Sequence, residues 1–139
     1  MLMCVNLPPG DCEKFHNSLE HTLACDGFLD HFYDSFIGSS DRIKEFFKHT
    51  DMTRQKRKLA TTLRLITMAI DDSPGADMYL EYLGKYHRDI NVTRELYDVW
   101  LDALIESARS CDPKFNDDLE TLWRTAINTG IKHMHKAYV

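Results

Sequence analysis

His87 is the residue of this chain whose setting best suits a metal ligand. It closes an apolar stretch, MYLEYLGKY at residues 78–86, and the short segment RDINV separates it from an aromatic-rich stretch with Tyr97 and Trp100. A neutral imidazole at the end of a buried helix, above an apolar wall, is the usual setting of an axial ligand to haem iron. This interpretation requires a second apolar wall and a polar group opposite His87.

Four residues in the first half of the chain have the side chains that such a second wall needs. Gln55 and Leu59 are one helical turn apart and point the same way, Phe47 precedes their helix, and Tyr33 lies on an aromatic-rich helix before it. A haem pocket needs an aromatic ring against the porphyrin, an aliphatic side chain over the iron and one or two hydrogen-bond donors. Because dioxygen on iron is partly anionic, each donor in a dry pocket contributes about 1.5–3 kcal/mol.

Other interpretations compete at several of these positions. Tyr33 is also compatible with a core position, and Gln55 with an exposed helix position, since Arg54 and Lys56 flank it. Lys58, like His49, is a candidate sixth iron ligand if the long helix shifts, although Lys58 more naturally reaches a haem propionate. His133 and His135 are two residues apart and face different directions, which favours a solvated helix end over a metal site.

Helices account for the whole hydrophobic pattern. Apolar residues recur at three- and four-residue intervals, a long helix is expected from about Thr53 to Ile70, and no stretch alternates with the period of a strand. Four polar residues are expected to begin helices: Asp11, Asp41, Thr93 and Asn116. The prediction is one all-α domain over residues 11–139, preceded by an N-terminal extension at residues 1–10.

Composition narrows the classes of function. The chain has 139 residues, 43% of them hydrophobic, and a formal net charge of −5, which disfavours nucleic acid and anionic membranes as partners. No apolar run approaches the length of a membrane span. Four cysteines show no CxxC pairing, so Cys12 and Cys25 are expected to be free thiols and the location cytoplasmic.

Several segments together resemble a known family. They are FYDSF at residues 32–36, the phenylalanine fourteen residues after Tyr33, DMTRQKRKL at 51–59, LGKYHRDINV at 83–92, and the aromatic positions Tyr97, Trp100 and Trp123. Their order and spacing are similar to those of the globins, specifically bacterial single-domain haemoglobins related to the globin domain of flavohaemoglobins. The resemblance runs from about Cys12 to Tyr138, while the short loop before Gln55 is closer to truncated haemoglobins.

The resemblance implies a globin fold, a three-on-three helical sandwich around haem b. It implies that His87 is the proximal iron ligand and that Tyr33 and Gln55 are distal hydrogen-bond donors. The remaining pocket residues it implies are Phe47 stacked on the haem, Leu59 as an aliphatic lid, Leu63, Ile90 and Val92 along the wall, Lys58 at a propionate, and Tyr97 orienting His87. A glutamate that completes a His–Tyr–Glu network in flavohaemoglobins is replaced by Tyr138 or a neighbour, which disfavours oxidative chemistry.

The function implied is reversible binding of dioxygen, and of NO and CO, with no residue assigned to catalysis. Slow ligand escape from two polar donors would suit scavenging, sensing or NO dioxygenation better than delivery. NO dioxygenation would need a separate reductase, since 139 residues hold no flavin or nicotinamide motif. The sequence is also compatible with a gas sensor and with a haem-free helical regulatory domain.

Overall fold

Helices form all the regular secondary structure in the part of the chain that the computed structural model describes, residues 7–8, 10–71 and 73–138. The α-helices are α1 (Asp11–Ala24), α2 (Phe28–Gly38), α3 (Asp41–Phe47), α4 (Met52–Ile70), α5 (Ala76–Asp89), α6 (Arg94–Cys111) and α7 (Asp117–His135). A 3-10 helix, Lys136–Tyr138, follows directly on α7. The prediction of an all-α fold is confirmed.

The helices pack in two layers of three, with the short α3 at one end. One layer consists of α1, α4 and α5, and each of these helices contacts α7. The other layer consists of α2, α6 and α7, in which α6 contacts both α2 and α7. The interior between the layers is filled by large side chains, among them Phe15, Phe32 and Trp123, which are fully buried. Trp123 donates its indole N–H to Ser18 Oγ at 2.9 Å, so the buried ring leaves no polar atom unsatisfied.

Two of the four expected helix starts are shifted by one residue. Ser40, and not Asp41, caps α3, because its hydroxyl accepts from the backbone N–H of Ile43 at 3.1 Å. Gly10, and not Asp11, is the cap residue of α1, where its φ of 87° suits glycine. Both aspartates instead occupy the first turn, where a carboxylate favours the positive end of the helix dipole.

The apolar stretch before His87 is less buried than expected. Met78, Tyr82 and Tyr86 expose 70%, 66% and 53% of their surface, because they follow one another at four-residue intervals on the side of α5 turned away from the interior. The buried face of α5 consists of small and aliphatic residues, Ala76, Leu80 and Gly84. The apolar surface that α5 turns to the interior before His87 is therefore smaller than the sequence indicates.

Two further expectations concern the N-terminal segment and the cysteines. Leu7, within the stretch predicted as an N-terminal extension, is buried against the core, whereas residues 1–6 and 9 lie outside the described part. Cys12 is disulfide-bonded, contrary to the expectation of a free thiol, while Cys25 and Cys111 are free. Among the described helices, none has the length and hydropathy to cross a membrane.

Candidate functional site

His87 lies in the last turn of α5 and is tied to α6 by a hydrogen bond. Its Nδ1 is 3.3 Å from the hydroxyl of Tyr97, whose ring stands edge-on to the imidazole at 6.0 Å between centroids. The hydroxyl of Tyr97 is in turn 3.4 Å from that of Tyr138, which donates to the backbone carbonyl of Val92 at 2.6 Å. Three side chains and one carbonyl thus form a continuous chain of hydrogen bonds.

The carbonyl at the end of this chain fixes the direction of every bond in it. A carbonyl can only accept, so Tyr138 donates its single hydroxyl proton to the carbonyl of Val92. The oxygen of Tyr138 must then accept from the hydroxyl of Tyr97. The proton of Tyr97 is then also used, so its oxygen accepts from Nδ1–H of His87. His87 is left with a proton on Nδ1 and a lone pair on Nε2, the tautomer that ligates a metal.

Burial keeps these groups in the required protonation states. It lowers the pKa of His87 below its ordinary value, which favours the neutral imidazole. Burial and the hydrogen bond to Tyr138 raise the pKa of Tyr97, so the phenol remains protonated. The ring of His135 packs edge-on against Tyr97 at 4.7 Å between centroids, and burial followed by the charge of Arg94 lowers the pKa of His135. His135 is thus part of the site's support rather than a fully solvated helix end.

Two arginines hold the C-terminal 3-10 helix against this site. Arg88, the residue after His87, donates to the carbonyl of Ala137 at 3.0 Å, and Arg94 donates to the carbonyl of Tyr138 at 3.0 Å. The guanidinium of Arg94 also lies 5.9 Å from the ring centroid of Tyr138. The position of Tyr138 is therefore set from both α5 and α6.

Tyr33 and Gln55, the predicted distal pair, are in contact. Gln55 Nε2 donates to the hydroxyl of Tyr33 at 3.3 Å, and that hydroxyl donates to the backbone carbonyl of Gln55 at 3.5 Å. The second bond is long and weak, so the phenol proton can be redirected to a stronger acceptor. Burial raises the pKa of Tyr33 to about 12, which keeps that proton on the oxygen at neutral pH.

Apolar side chains surround the distal pair. The ring of Phe47 stands edge-on to that of Tyr33 at 5.8 Å and to that of Phe36 at 6.1 Å. Leu59 and Leu63, one turn apart on α4, are 6% and 1% exposed. These residues are the types that pack against a porphyrin, and the structure gathers Phe47, Tyr33 and Gln55 at one place.

The remaining predicted pocket residues lie at the margins. Val92 is half-buried and enters the site through its carbonyl, whereas Ile90 exposes 38% of its surface. Lys58 and His49 are exposed, and no described contact brings either to His87. Tyr97 is expected from the sequence, whereas Gly84 and Arg94 are not: a Cβ on Gly84 would meet the backbone of Met134, and Arg94 holds the carbonyl of Tyr138. A small residue three positions before a candidate ligand histidine was a signal for Gly84.

The donor set fits haem. His87 presents an unprotonated Nε2 on a neutral ring held by a second hydrogen-bonded group, as a proximal ligand requires. Donors and apolar side chains on α2 and α4 supply what a gas-binding face needs. Haem would be held by His87, with Phe47, Leu59 and Val92 against its faces.

A three-on-three helical sandwich is the architecture of the globins. The chain is similar to a solved structure of this kind, protein PA3967 from Pseudomonas aeruginosa PAO1, which is described as structurally highly homologous to a human haemoglobin. The TM-score is 0.86 and the identity 31%, over 93% of this chain and 98% of that one. This chain therefore belongs to the globin family, and the predicted globin fold is confirmed.

Comparison by sequence adds no narrower class. No protein-family model matches the chain, and no curated protein matches it. The similarity to flavohaemoglobin domains stays a prediction, as do the roles of the individual pocket residues.

Proposed function

We propose that this globin binds haem b through His87 and uses it to bind dioxygen reversibly, along with NO and CO. The observation that carries the proposal is the hydrogen-bond chain from His87 to the Val92 carbonyl, which leaves the lone pair of Nε2 available. Haem iron supplies the position at which a diatomic gas binds. The chain's own residues determine how firmly the haem and the gas are held.

On the distal side, Tyr33 and Gln55 act as one unit. Because Gln55 donates to the oxygen of Tyr33, the phenol is free to donate its own proton to a partly anionic ligand. The weak bond from Tyr33 to the Gln55 carbonyl is exchanged for a stronger one when such a ligand enters. This arrangement favours slow ligand escape, which suits scavenging or sensing better than delivery.

On the proximal side, the end of the hydrogen-bond chain favours binding over oxidative chemistry. The chain ends on a neutral carbonyl and contains no carboxylate, so nothing in it draws the Nδ1 proton away from His87. The imidazole therefore donates less electron density than one paired with a charged acceptor. A reversible gas binder is the class of function that this proximal side supports best.

Absorption spectra of the ferric, ferrous and CO-bound protein test the proposal together with its ligand. We expect a Soret band that His87→Ala abolishes or strongly weakens, and that added imidazole restores by replacing the missing side chain. His16→Ala, on the far helix α1, is the matched control and should leave the spectra unchanged. A normal five-coordinate ferrous spectrum in His87→Ala would overturn the proximal assignment, and the absence of any Soret band after haem addition would overturn haem binding.

A further inference from the structure

Two free cysteines meet at a junction far from the haem site. Cys25 follows the last residue of α1, Cys111 is the last residue of α6, and 86 positions separate them in sequence. The thiol of Cys25 donates to the backbone carbonyl of Cys111 at 3.5 Å, so the two cysteines are neighbours. Both side chains are half-buried, so the pair is accessible to small molecules.

A second contact holds the same two segments in register. His21, one turn before Cys25, has Nε2 3.7 Å from Oδ1 of Asp112, the residue after Cys111. Asp112 is buried, and its Oδ1 accepts from the backbone N–H of Lys114 at 2.9 Å. The turn that carries Cys111 therefore lies against the end of α1, and the fold brings the two cysteines together.

We propose that Cys25 and Cys111 form a disulfide site that responds to hydroperoxides. The Cys25 thiolate attacks a peroxide oxygen, the O–O bond breaks, and Cys25 becomes a sulfenic acid while the other oxygen leaves as water or an alcohol. The sulfur of Cys111 then attacks the sulfur of Cys25, which forms the S–S bond, breaks the S–O bond and releases water. Two thiols lose two electrons and the hydroperoxide gains them.

The environments of the two thiols give them different roles. Burial, together with a hydrogen bond that Cys111 donates to Cys25, raises the pKa of Cys111 to about 11, so Cys111 keeps its proton at neutral pH. Cys25 therefore reacts first and Cys111 resolves the sulfenic acid. A disulfide between them requires the two sulfurs to come to a bonding distance of about 2.05 Å. The disulfide would join the end of α1, just before the helix that carries Tyr33, to the end of α6.

Tryptic mapping of the full-length protein tests this site, because cleavage separates the relevant cysteines. Trypsin places Cys4 and Cys12 in peptide 1–14, Cys25 in peptide 15–42, and Cys111 in peptide 110–114. The protein is reduced, treated with hydrogen peroxide, alkylated and digested without reductant. We expect the cross-linked 15–42/110–114 product in about tenfold or greater yield over the same chain oxidised in urea, since the fold holds the thiols together.

Matched variants make the result decisive. Cys12→Ser should retain the 15–42/110–114 product, whereas Cys25→Ser should lose it and leave Cys111 open to alkylation. Equal yields in the native and urea-unfolded chains would overturn the proposal, as would conversion of Cys25 to sulfinic acid without a cross-link. Circular dichroism of each variant confirms that a lost product does not reflect unfolding.

Discussion

The hydroxyl of Tyr33 is expected to control how fast a bound gas escapes. Tyr33→Phe keeps the ring against Phe47 but removes the donor, so the dioxygen dissociation rate should rise by about tenfold or more through loss of one charge-assisted bond. Stopped-flow displacement of dioxygen by CO measures this rate. Tyr82→Phe, at a site that is 66% exposed, is the control. An unchanged rate in Tyr33→Phe would remove Tyr33 from the distal role.

The buried imidazole of His87 makes the stability of the haem-free protein dependent on pH. Its pKa is held below the ordinary value of 6.5 in the folded chain, so the unfolded chain binds more protons as the pH falls through 6.5. Stability should be constant from this source above about pH 7.5 and should decline towards the lower, folded-state pKa.

Urea unfolding midpoints at pH 7.5 and 5.5 measure this decline. His87→Phe should reduce the difference between the two midpoints, because the substituted side chain does not titrate. His135, whose pKa burial also lowers, contributes in the same direction, so His135→Phe should reduce the difference as well. A difference that neither variant changes would contradict the assignment of the decline to these histidines.

Individual residues of the site differ in how far the sequence predicts them. Residue type and helical spacing indicate Tyr33, Gln55 and Phe47, and the structure brings the three into contact. The direction of the bonds from His87 depends on the Val92 carbonyl, and a backbone carbonyl leaves no trace in residue type. The sequence therefore predicts the members of this network better than its proton positions.

At the scale of helices, Gly84 sets the distance between α5 and α7. A Cβ on residue 84 would lie 2.7 Å from the Cα of Met134, a backbone atom that cannot move aside. Gly84→Ala should therefore push α5 outwards and lower the free energy of unfolding by about 1–3 kcal/mol. It should also displace His87, which lies about one helical turn after Gly84. Chemical denaturation measures the first effect, and a weakened Soret band reports the second.

Gly38→Ala is the matched control for this prediction. Gly38 is also a helical glycine, the last residue of α2, but a Cβ there would meet nothing within 4 Å, so alanine should be neutral or slightly stabilising. If Gly84→Ala proved as stable as Gly38→Ala, the contact with α7 would not oppose a side chain at residue 84, and the prediction would be wrong.

Helix positions are predicted from the sequence more reliably than the faces they bury. The start of α6 at Thr93 and that of α7 at Asn116 are as expected, and the side chain of Asn116 accepts from the backbone N–H of Leu119 at 2.9 Å. On α5 the pattern indicates burial of Tyr82 and Tyr86, but the interior selects the small residues beside α7. Which apolar face of α5 is buried depends on the neighbouring helix, so this face cannot be predicted from the sequence of α5 alone.

At the scale of the whole molecule, the end of the chain completes the site. The 3-10 helix is held by Arg88 of α5 and Arg94 of α6, and its Tyr138 supports Tyr97 and, through it, His87. Two consecutive helices and a 3-10 helix that is distant from them in sequence therefore determine the orientation of one imidazole. A change at Tyr138 should therefore affect the orientation of His87 through Tyr97.

Substitution of Tyr138 tests this long-range support. Tyr138→Phe removes both the acceptor for Tyr97 and the 2.6 Å bond to Val92, so haem affinity should fall by about tenfold. Tyr138→Glu places a carboxylate at the same position and should raise the iron–histidine stretching frequency, because a charged acceptor draws on the Nδ1 proton through Tyr97. Resonance Raman spectra of the ferrous forms measure that frequency, with Tyr79→Phe as an exposed control. If both variants lose stability alike while the frequency stays at the wild-type value, Tyr138 acts only on packing and the hydrogen-bond chain does not reach the ligand.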